Sequence, residues 1–373
     1  MYVFKFENKG DMLTKKLANY KMKNKKKLLR NLVLFLILIL LTFFVIFKDQ
    51  NPIQILKALV KAQKGYIIVA IGFMCFYLIC EAINIGRTLK ALGEKSNFLQ
   101  NIKYSLIGFF FSSITPAASG GQPMQIYYMH KDKITVANST LALLINLTCM
   151  QIVTISLALV SFIFNYQYMN KLLIGFFIIG IFLNASALTL LLISILSKRA
   201  TNWLINMVIK ILRFFKIKNI ESKKEKIENE LSKYQTSSTY IKNNKIVILK
   251  TLLISYIQFL AYYSISYWVY RSFGLSQYNI FEITSMQSVL FATVSGIPSP
   301  GAVGVSEGGF LAIYKNIYPE KMINGAMLLN RGVSFYLFVI ISAVVVIVSS
   351  IKDKKELKQE ENNELKEEKE ELW

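Results

Sequence analysis

The chain has 373 residues, of which 54% are hydrophobic, with a mean hydropathy of +0.41 and a formal net charge of +22. That apolar share is too high for a water-soluble domain of ordinary make-up, which excludes the soluble enzyme classes. The charge does not indicate nucleic-acid binding. Residues 1–30 carry ten Lys/Arg against two acids and residues 198–245 carry twelve against four, and both blocks flank apolar runs with no interleaved aromatic platform. Such a placement fits the positive-inside rule and attraction to anionic lipid headgroups.

In chain order, residues 1–30 read as a basic cytoplasmic arm. A first apolar run follows at Leu32–Phe47, interrupted only by Thr42. About 20 helical residues cross a bilayer, and no small-residue cleavage pattern follows this run, so a retained span is expected rather than a signal peptide. Residues 48–65 suggest a short amphipathic helix at the outer surface, although their four lysines run against the positive-inside pattern. Further spans are expected at Tyr66–Leu92, Ile134–Phe164, Leu172–Leu196, Ile246–Tyr270 and Gly325–Ser349. The tail over 351–373 is highly charged and should be solvated. The three cysteines, Cys75, Cys80 and Cys149, lie inside apolar runs without ligand-like spacing, and His130 is the only histidine. Neither a metal site nor a cofactor is therefore expected.

Two segments are apolar yet broken at their centres. The first, residues 103–130, contains Thr115-Pro116 and then Ser119-Gly120-Gly121-Gln122-Pro123. The second, residues 281–314, contains Pro298-Ser299-Pro300-Gly301 and then Gly304 to Gly309. If the first segment crossed fully, the basic 198–245 block would lie outside. A re-entrant hairpin keeps it inside. The order span, broken hairpin, span then occurs twice, at 66–164 and 246–349, with opposite orientation. The expected fold is all-α: a polytopic membrane helix bundle over 31–350 with two re-entrant broken hairpins in an inverted repeat, a plan that recurs in transporters.

Non-helical backbone at membrane depth persists only where protein, water or a ligand satisfies it. Ser119 could cap a half-helix, Pro123 suits a first turn, and Gly120 and Gly121 would let a ligand approach the backbone. Two converging helix N-termini would suit an anion, most simply a lipid phosphate. Ionisable residues within spans point the same way. Glu81 shares a face with Asn84 and Thr88, Arg87 lies near the cytoplasmic end, and Glu307 sits in the second hairpin. Arg331 could hold a phosphate bidentately, or could form a buried structural pair with Glu307. Tyr256, Gln258, Tyr262, Tyr263 and Tyr267 give the 246–270 span a polar-aromatic face that reads as packing. The substrate-binding set expected from the sequence is thus Glu81, Thr115, Pro116, Ser119, Gly120, Gly121, Gln122, Pro123, Pro300, Gly301, Gly304, Glu307 and Arg331.

The stretches ITPAASGGQPMQIYYM (Ile114–Met129) and IPSPGAVGVSEGGFLAIY (Ile297–Tyr314), followed by an Arg in the last span, resemble the lysylphosphatidylglycerol synthase transmembrane-region family, also called flippase-like or UPF0104-type. The resemblance runs from about residue 30 to 350. It implies an integral protein of the bacterial cell (inner or plasma) membrane, multi-pass with its N-terminus cytoplasmic, that binds and translocates a phospholipid or modified-lipid headgroup between leaflets. In the family's best-known member a soluble domain transfers lysine from lysyl-tRNA to phosphatidylglycerol, and the membrane region moves the product, giving resistance to cationic peptides. Residues 350–373 hold no catalytic domain of that kind, so transferase activity is not expected of this chain. Three alternatives remain at this point. They are a flippase without an ATP-binding motif, a phosphatidylglycerol lysyltransferase using Glu81, Glu307 and His130 for acid–base work, and a non-catalytic partner of a lipid-modifying enzyme. The expected partners are an anionic or modified lipid, the membrane, such an enzyme or a second copy of the chain, and not nucleic acid.

Overall fold

The computed structural model describes residues 59–166, 169, 171–196, 232–239, 244–297 and 299–351. The basic arm, the Leu32–Phe47 span, the amphipathic segment up to residue 58, most of the 198–245 block and the charged tail lie outside the described residues. Among those described, all regular structure is helical. The principal elements are α1 (Lys64–Ala91), α2 (Phe98–Ser113), α3 (Gly121–Lys131), α4 (Val136–Asn165), α5 (Lys171–Leu196), α6 (Lys245–Ser272), α7 (Ile280–Ser295), α8 (Val305–Ile313) and α9 (Glu320–Ile351).

Five of these, α1, α4, α5, α6 and α9, are long and apolar enough to cross a membrane. They match the five expected spans that fall in the described region, although α9 starts five residues earlier than its apolar run. At ~1.5 Å per residue, the 28 residues of α1 reach ~42 Å, beyond a ~30 Å hydrocarbon core. The 16 residues of α2 and of α7 reach only ~24 Å. Both short helices stop at a Pro-containing 3₁₀ turn, Pro116–Ala118 after α2 and Pro300–Ala302 after α7.

Two stretches of the chain, 64–131 and 245–313, match in the order and length of their elements. Helices of 28 and 28 residues (α1, α6) precede helices of 16 and 16 (α2, α7), then the turns, then helices of 11 and 9 (α3, α8). Each short helix opens on an asparagine capping box, Asn97 with Gln100 and Asn279 with Glu282. There the side chain and backbone satisfy each other's orphan donors.

Helices α1 and α6 form the central pair. Ala70, Met74 and Leu78 pack with Ile265 and Val269, and the fully buried Asn84 donates to Thr251 O at 3.3 Å and to Ser255 Oγ at 3.2 Å. Lipid supplies no hydrophobic drive between helices, so close packing and interhelical hydrogen bonds hold such bundles. The same device joins α4, α5 and α7. Gln151 donates to Asn184 Oδ1 at 2.6 Å, and Asn184 donates to Ala292 O at 2.9 Å.

Candidate functional site

The two turns share one backbone shape. Thr115 and Ser299 are extended (φ/ψ −121°/144° and −116°/146°), a proline follows, and Ala117 and Gly301 are left-handed (52°/31° and 58°/18°). Ala118 and Ala302 then have φ of 53° and 52°. Left-handed backbone at a residue with a Cβ costs ~1–2 kcal/mol. Three of the four such residues described lie in these two turns, and strain of this kind tends to cluster at functional sites.

The turns also meet. A Cβ placed on Gly301 would lie 2.3 Å from the Phe335 ring and 3.0 Å from Ser113 O, so only glycine fits both the left-handed backbone and the close approach. Between them lies a hollow of about 240 Å³. It is lined by Ala117 and Ala118 from the first turn, Ser299 and Gly301 from the second, and Tyr77, Tyr262, Gln287, Asn330, Arg331 and Ser334 from α1, α6, α7 and α9. Ala117 and Ala118 are exposed and form its mouth.

Glu307 and Arg331 stand behind the second turn. Glu307 is 2% exposed. Its Oε2 accepts from Gly304 N at 2.7 Å, and its Oε1 accepts from Arg331 Nε at 2.8 Å and from Tyr336 Oη at 2.9 Å. Arg331 Nη2 donates to Gly301 O at 3.0 Å, and the guanidinium lies 4.1 Å from the Phe335 ring centre. This network locks the break in place. It follows from two local features, Glu307 at the third position of α8 and a π turn at Gly332–Tyr336 immediately after Arg331. Such widened turns favour functional sites because they re-aim side chains.

The expected binding residues therefore separate. Pro300, Gly301, Gly304, Glu307 and Arg331 come together in and behind the second turn, where Glu307 takes up the Gly304 N–H at the start of α8 and the Nε of Arg331. The buried structural pair is the alternative that the geometry favours. Ser119 does not cap α3. Its position is exposed, Gly120 is the N-cap residue, and no side chain caps there. Thr115 does the local work instead, with its hydroxyl donating to Phe111 O at 2.6 Å and accepting from Gly120 N at 2.9 Å. Gly121 serves packing, since a Cβ there would meet Ser112 Oγ at 2.1 Å and Gly108 O at 2.9 Å. Pro123 sits in the first turn of α3 beside the half-buried Gln122, and Pro116 is exposed in the turn. Glu81 is not among the residues lining the hollow. It accepts from Ser105 Oγ of α2 at 3.0 Å. Asn84 is interhelical glue, and Arg87 donates to it at 3.1 Å. His130 is exposed at the end of α3 and does not line the hollow with any carboxylate. Of the aromatic face on α6, Tyr256 bonds Ser156 at 2.8 Å and Tyr263 is buried, whereas Tyr262 lines the hollow.

Sequence reasoning passed over Tyr77, Gln287, Asn330 and Ser334. A signal existed: Gln287 and Asn330 are amides inside apolar helices, and such polar residues usually face a cavity. Both are largely buried, at 8% and 4% exposure, and share Ser266 Oγ at 2.8 and 3.1 Å.

A family model described as the lysylphosphatidylglycerol synthase TM region matches residues 31–342, most of the chain. The chain belongs to that family. Relatives are archaeal proteins named UPF0104 membrane protein. One from Archaeoglobus fulgidus is 21% identical over 314 residues, covering 83% of this chain and 94% of the relative. One from Pyrococcus horikoshii is 24% identical over 308 residues, covering 78% and 89%. A third, from Methanothermobacter thermautotrophicus, is 22% identical over 298 residues, covering 77% and 86%. With five apolar helices of spanning length, this member of the lysylphosphatidylglycerol synthase TM family is a multi-pass integral membrane protein.

Proposed function

We propose that the protein translocates the headgroup of an anionic phospholipid or modified lipid between leaflets, through the hollow where the two turns meet. The carrying observation is that two helices too short to cross a bilayer stop at turns of the same strained shape and converge on one cavity, in whose largely apolar wall a few polar side chains and Arg331 are set. Irregular backbone at membrane depth needs a cavity or a ligand to satisfy it. In this reading both segments are re-entrant, enter from opposite leaflets as an inverted repeat, and sit in a bacterial cell membrane with the N-terminus cytoplasmic.

Recognition works differently from a pair of open helix ends. Arg331 presents only the part of its guanidinium not held by Glu307 and Gly301 O. The Gln287 and Asn330 amides and the Ser299 and Ser334 hydroxyls line the same space, and Ser299 Oγ has no hydrogen-bond partner among the described residues. A hollow that offers donors beside one partly committed cation suits the phosphate of a lipid headgroup. The acyl tails need no protein path, because they stay in the bilayer.

The test is headgroup movement in proteoliposomes, read with a headgroup-fluorescent phosphatidylglycerol and an external quencher. The native protein should speed equilibration at least tenfold over protein-free vesicles. Ala117→Trp, which fills the exposed mouth, should abolish the gain while the protein still elutes as a single folded species. Equal rates with and without native protein, for both plain and lysyl-modified phosphatidylglycerol, would remove this reading. Product formed from charged tRNA and phosphatidylglycerol by the purified chain would replace it with a transferase.

A further inference from the structure

A second concave site lies where α1 turns into α2. On α1, Ile83, Arg87 and Lys90 are four and then three residues apart, a spacing that sets them on one helix face. Gly93, at a left-handed φ of 81°, closes the helix, and Glu94 N donates back to Leu89 O at 3.0 Å. The reversed chain brings Lys95 and Phe98 to the same face. The resulting groove has a volume of about 660 Å³ and shares no lining residue with the hollow at the two turns. At its inner end a Cβ on Gly86 would lie 2.3 Å from Asn101 Nδ2, so glycine there lets α2 come close.

The charge of this groove is one-sided. Arg87 is half-buried, and its Nη1 donates to Asn84 Oδ1 at 3.1 Å. Asn84 is itself tied to α6 through Thr251 O and Ser255 Oγ, so the guanidinium is held in place on the groove wall. Lys90 and Lys95 are exposed. The one acid on the groove is Glu94, and it is engaged elsewhere. Its Oε1 accepts from Thr135 N at 3.2 Å, Thr135 Oγ1 at 2.6 Å and Asn138 Nδ2 at 2.8 Å at the start of α4. Three cations against one engaged carboxylate leave the groove positive.

Beside the cations the rim is apolar. Ile83 and Phe98 are 37% and 50% exposed. A free phosphate ester would use the cations and leave those two side chains bare. A lipid carries an anion and hydrocarbon on one molecule and covers both. Basic pockets at the ends of membrane helices take anionic headgroups in this way, and a fixed guanidinium suits phosphate oxygens.

We propose that this groove binds one anionic glycerophospholipid from the leaflet at the α1–α2 end of the bundle. Its phosphate lies on Arg87, Lys90 and Lys95, and the start of an acyl chain lies on Ile83 and Phe98. The site is separate from the hollow and does not rest on the translocation reading.

The experiment is native mass spectrometry of the purified full chain, titrated with phosphatidylglycerol or with phosphatidylcholine of the same acyl chains. The first bound lipid should favour phosphatidylglycerol by at least about fivefold. Lys90→Gln with Lys95→Gln should remove most of that preference. Arg87→Gln, which keeps a donor for Asn84, should lower it as well. Lys64→Gln with Lys171→Gln removes the same charge from exposed positions at the starts of α1 and α5, and should leave the preference intact. An equal loss in that control pair would reduce the effect to general charge and overturn the site. Ala117→Trp should not change the preference; a loss there would place the lipid in the hollow and overturn the site too. Millimolar glycerol 3-phosphate should not displace the lipid, and displacement would make the ligand a free phosphate ester instead. A chain that keeps the lysine-dependent preference yet moves no headgroup in vesicles would retain this site and lose the translocation reading.

Discussion

The two turns begin alike and end differently. Up to Ala118 and Ala302 their backbones follow one path, but the next residues diverge: Ser119 is helical (φ −65°, ψ −15°) and leads directly into α3, whereas Val303 is extended (φ −64°, ψ 139°) and needs Gly304 at φ 85° to enter α8. The first turn is exposed and held by one threonine hydroxyl. The second is half-buried, with Glu307, Arg331 and Tyr336 tying it to α9. A shared backbone motif has thus been used for opposite ends, an accessible mouth on one side and a fixed floor on the other.

The largest test of that contrast is Arg331→Ala. It leaves the buried Glu307 carboxylate without its counter-charge, and removal of one partner of a buried pair costs ~3–5 kcal/mol. A much lower thermal midpoint in detergent is expected. A double replacement, Glu307→Leu with Arg331→Met, should recover most of the stability. If the single variant melted like the native protein, the second turn would not be the fixed one.

Next, the matched positions 117 and 301 should respond in opposite directions. Gly301→Ala adds a methyl group onto Phe335 and Ser113 O in a left-handed backbone and should cost ~2–3 kcal/mol by overpacking and strain. Ala117→Gly removes a left-handed alanine at an exposed site and should be neutral or stabilising by a few tenths of a kcal/mol, strain relief being offset by unfolded-chain entropy. A similar loss in both variants would erase the distinction.

The smallest contrast lies at 115 and 299. Thr115→Val removes an acceptor for Gly120 N and should cost ~1 kcal/mol. Ser299→Ala removes a hydroxyl that has no partner among the described residues and should leave the melt unchanged. It should alter headgroup movement instead, which tests whether that hydroxyl serves the hollow.

The spans were legible because each is a long apolar run between charged segments, and the breaks because Thr-Pro and Pro-Ser-Pro-Gly cannot continue a helix. The fate of individual polar residues was not legible, since it depends on helices far away in sequence. Arg331 reads as a phosphate ligand until Glu307, 24 positions earlier, is seen to occupy its Nε. Glu81 reads as a cavity carboxylate until Ser105 of α2 is found beside it. Gly121 reads as room for a ligand until Ser112 and the Gly108 carbonyl fill the space. Tyr77 and Tyr262 look like packing in their own helices, and only the convergence of distant helices makes them walls of the hollow.

Glu307 and Arg331 also have a joint consequence for energetics. Each opposite charge alone, carried through the membrane field, would exchange ~2.3 kcal/mol with the potential for every 100 mV. Bound at 2.8 Å, they form a dipole with no net charge, so a rocking of the second turn together with α9 would exchange almost no work with the voltage. In the proposed cycle this pair would add no electrical sensitivity of its own, and the voltage would act on the cargo and on whatever other charges move with it.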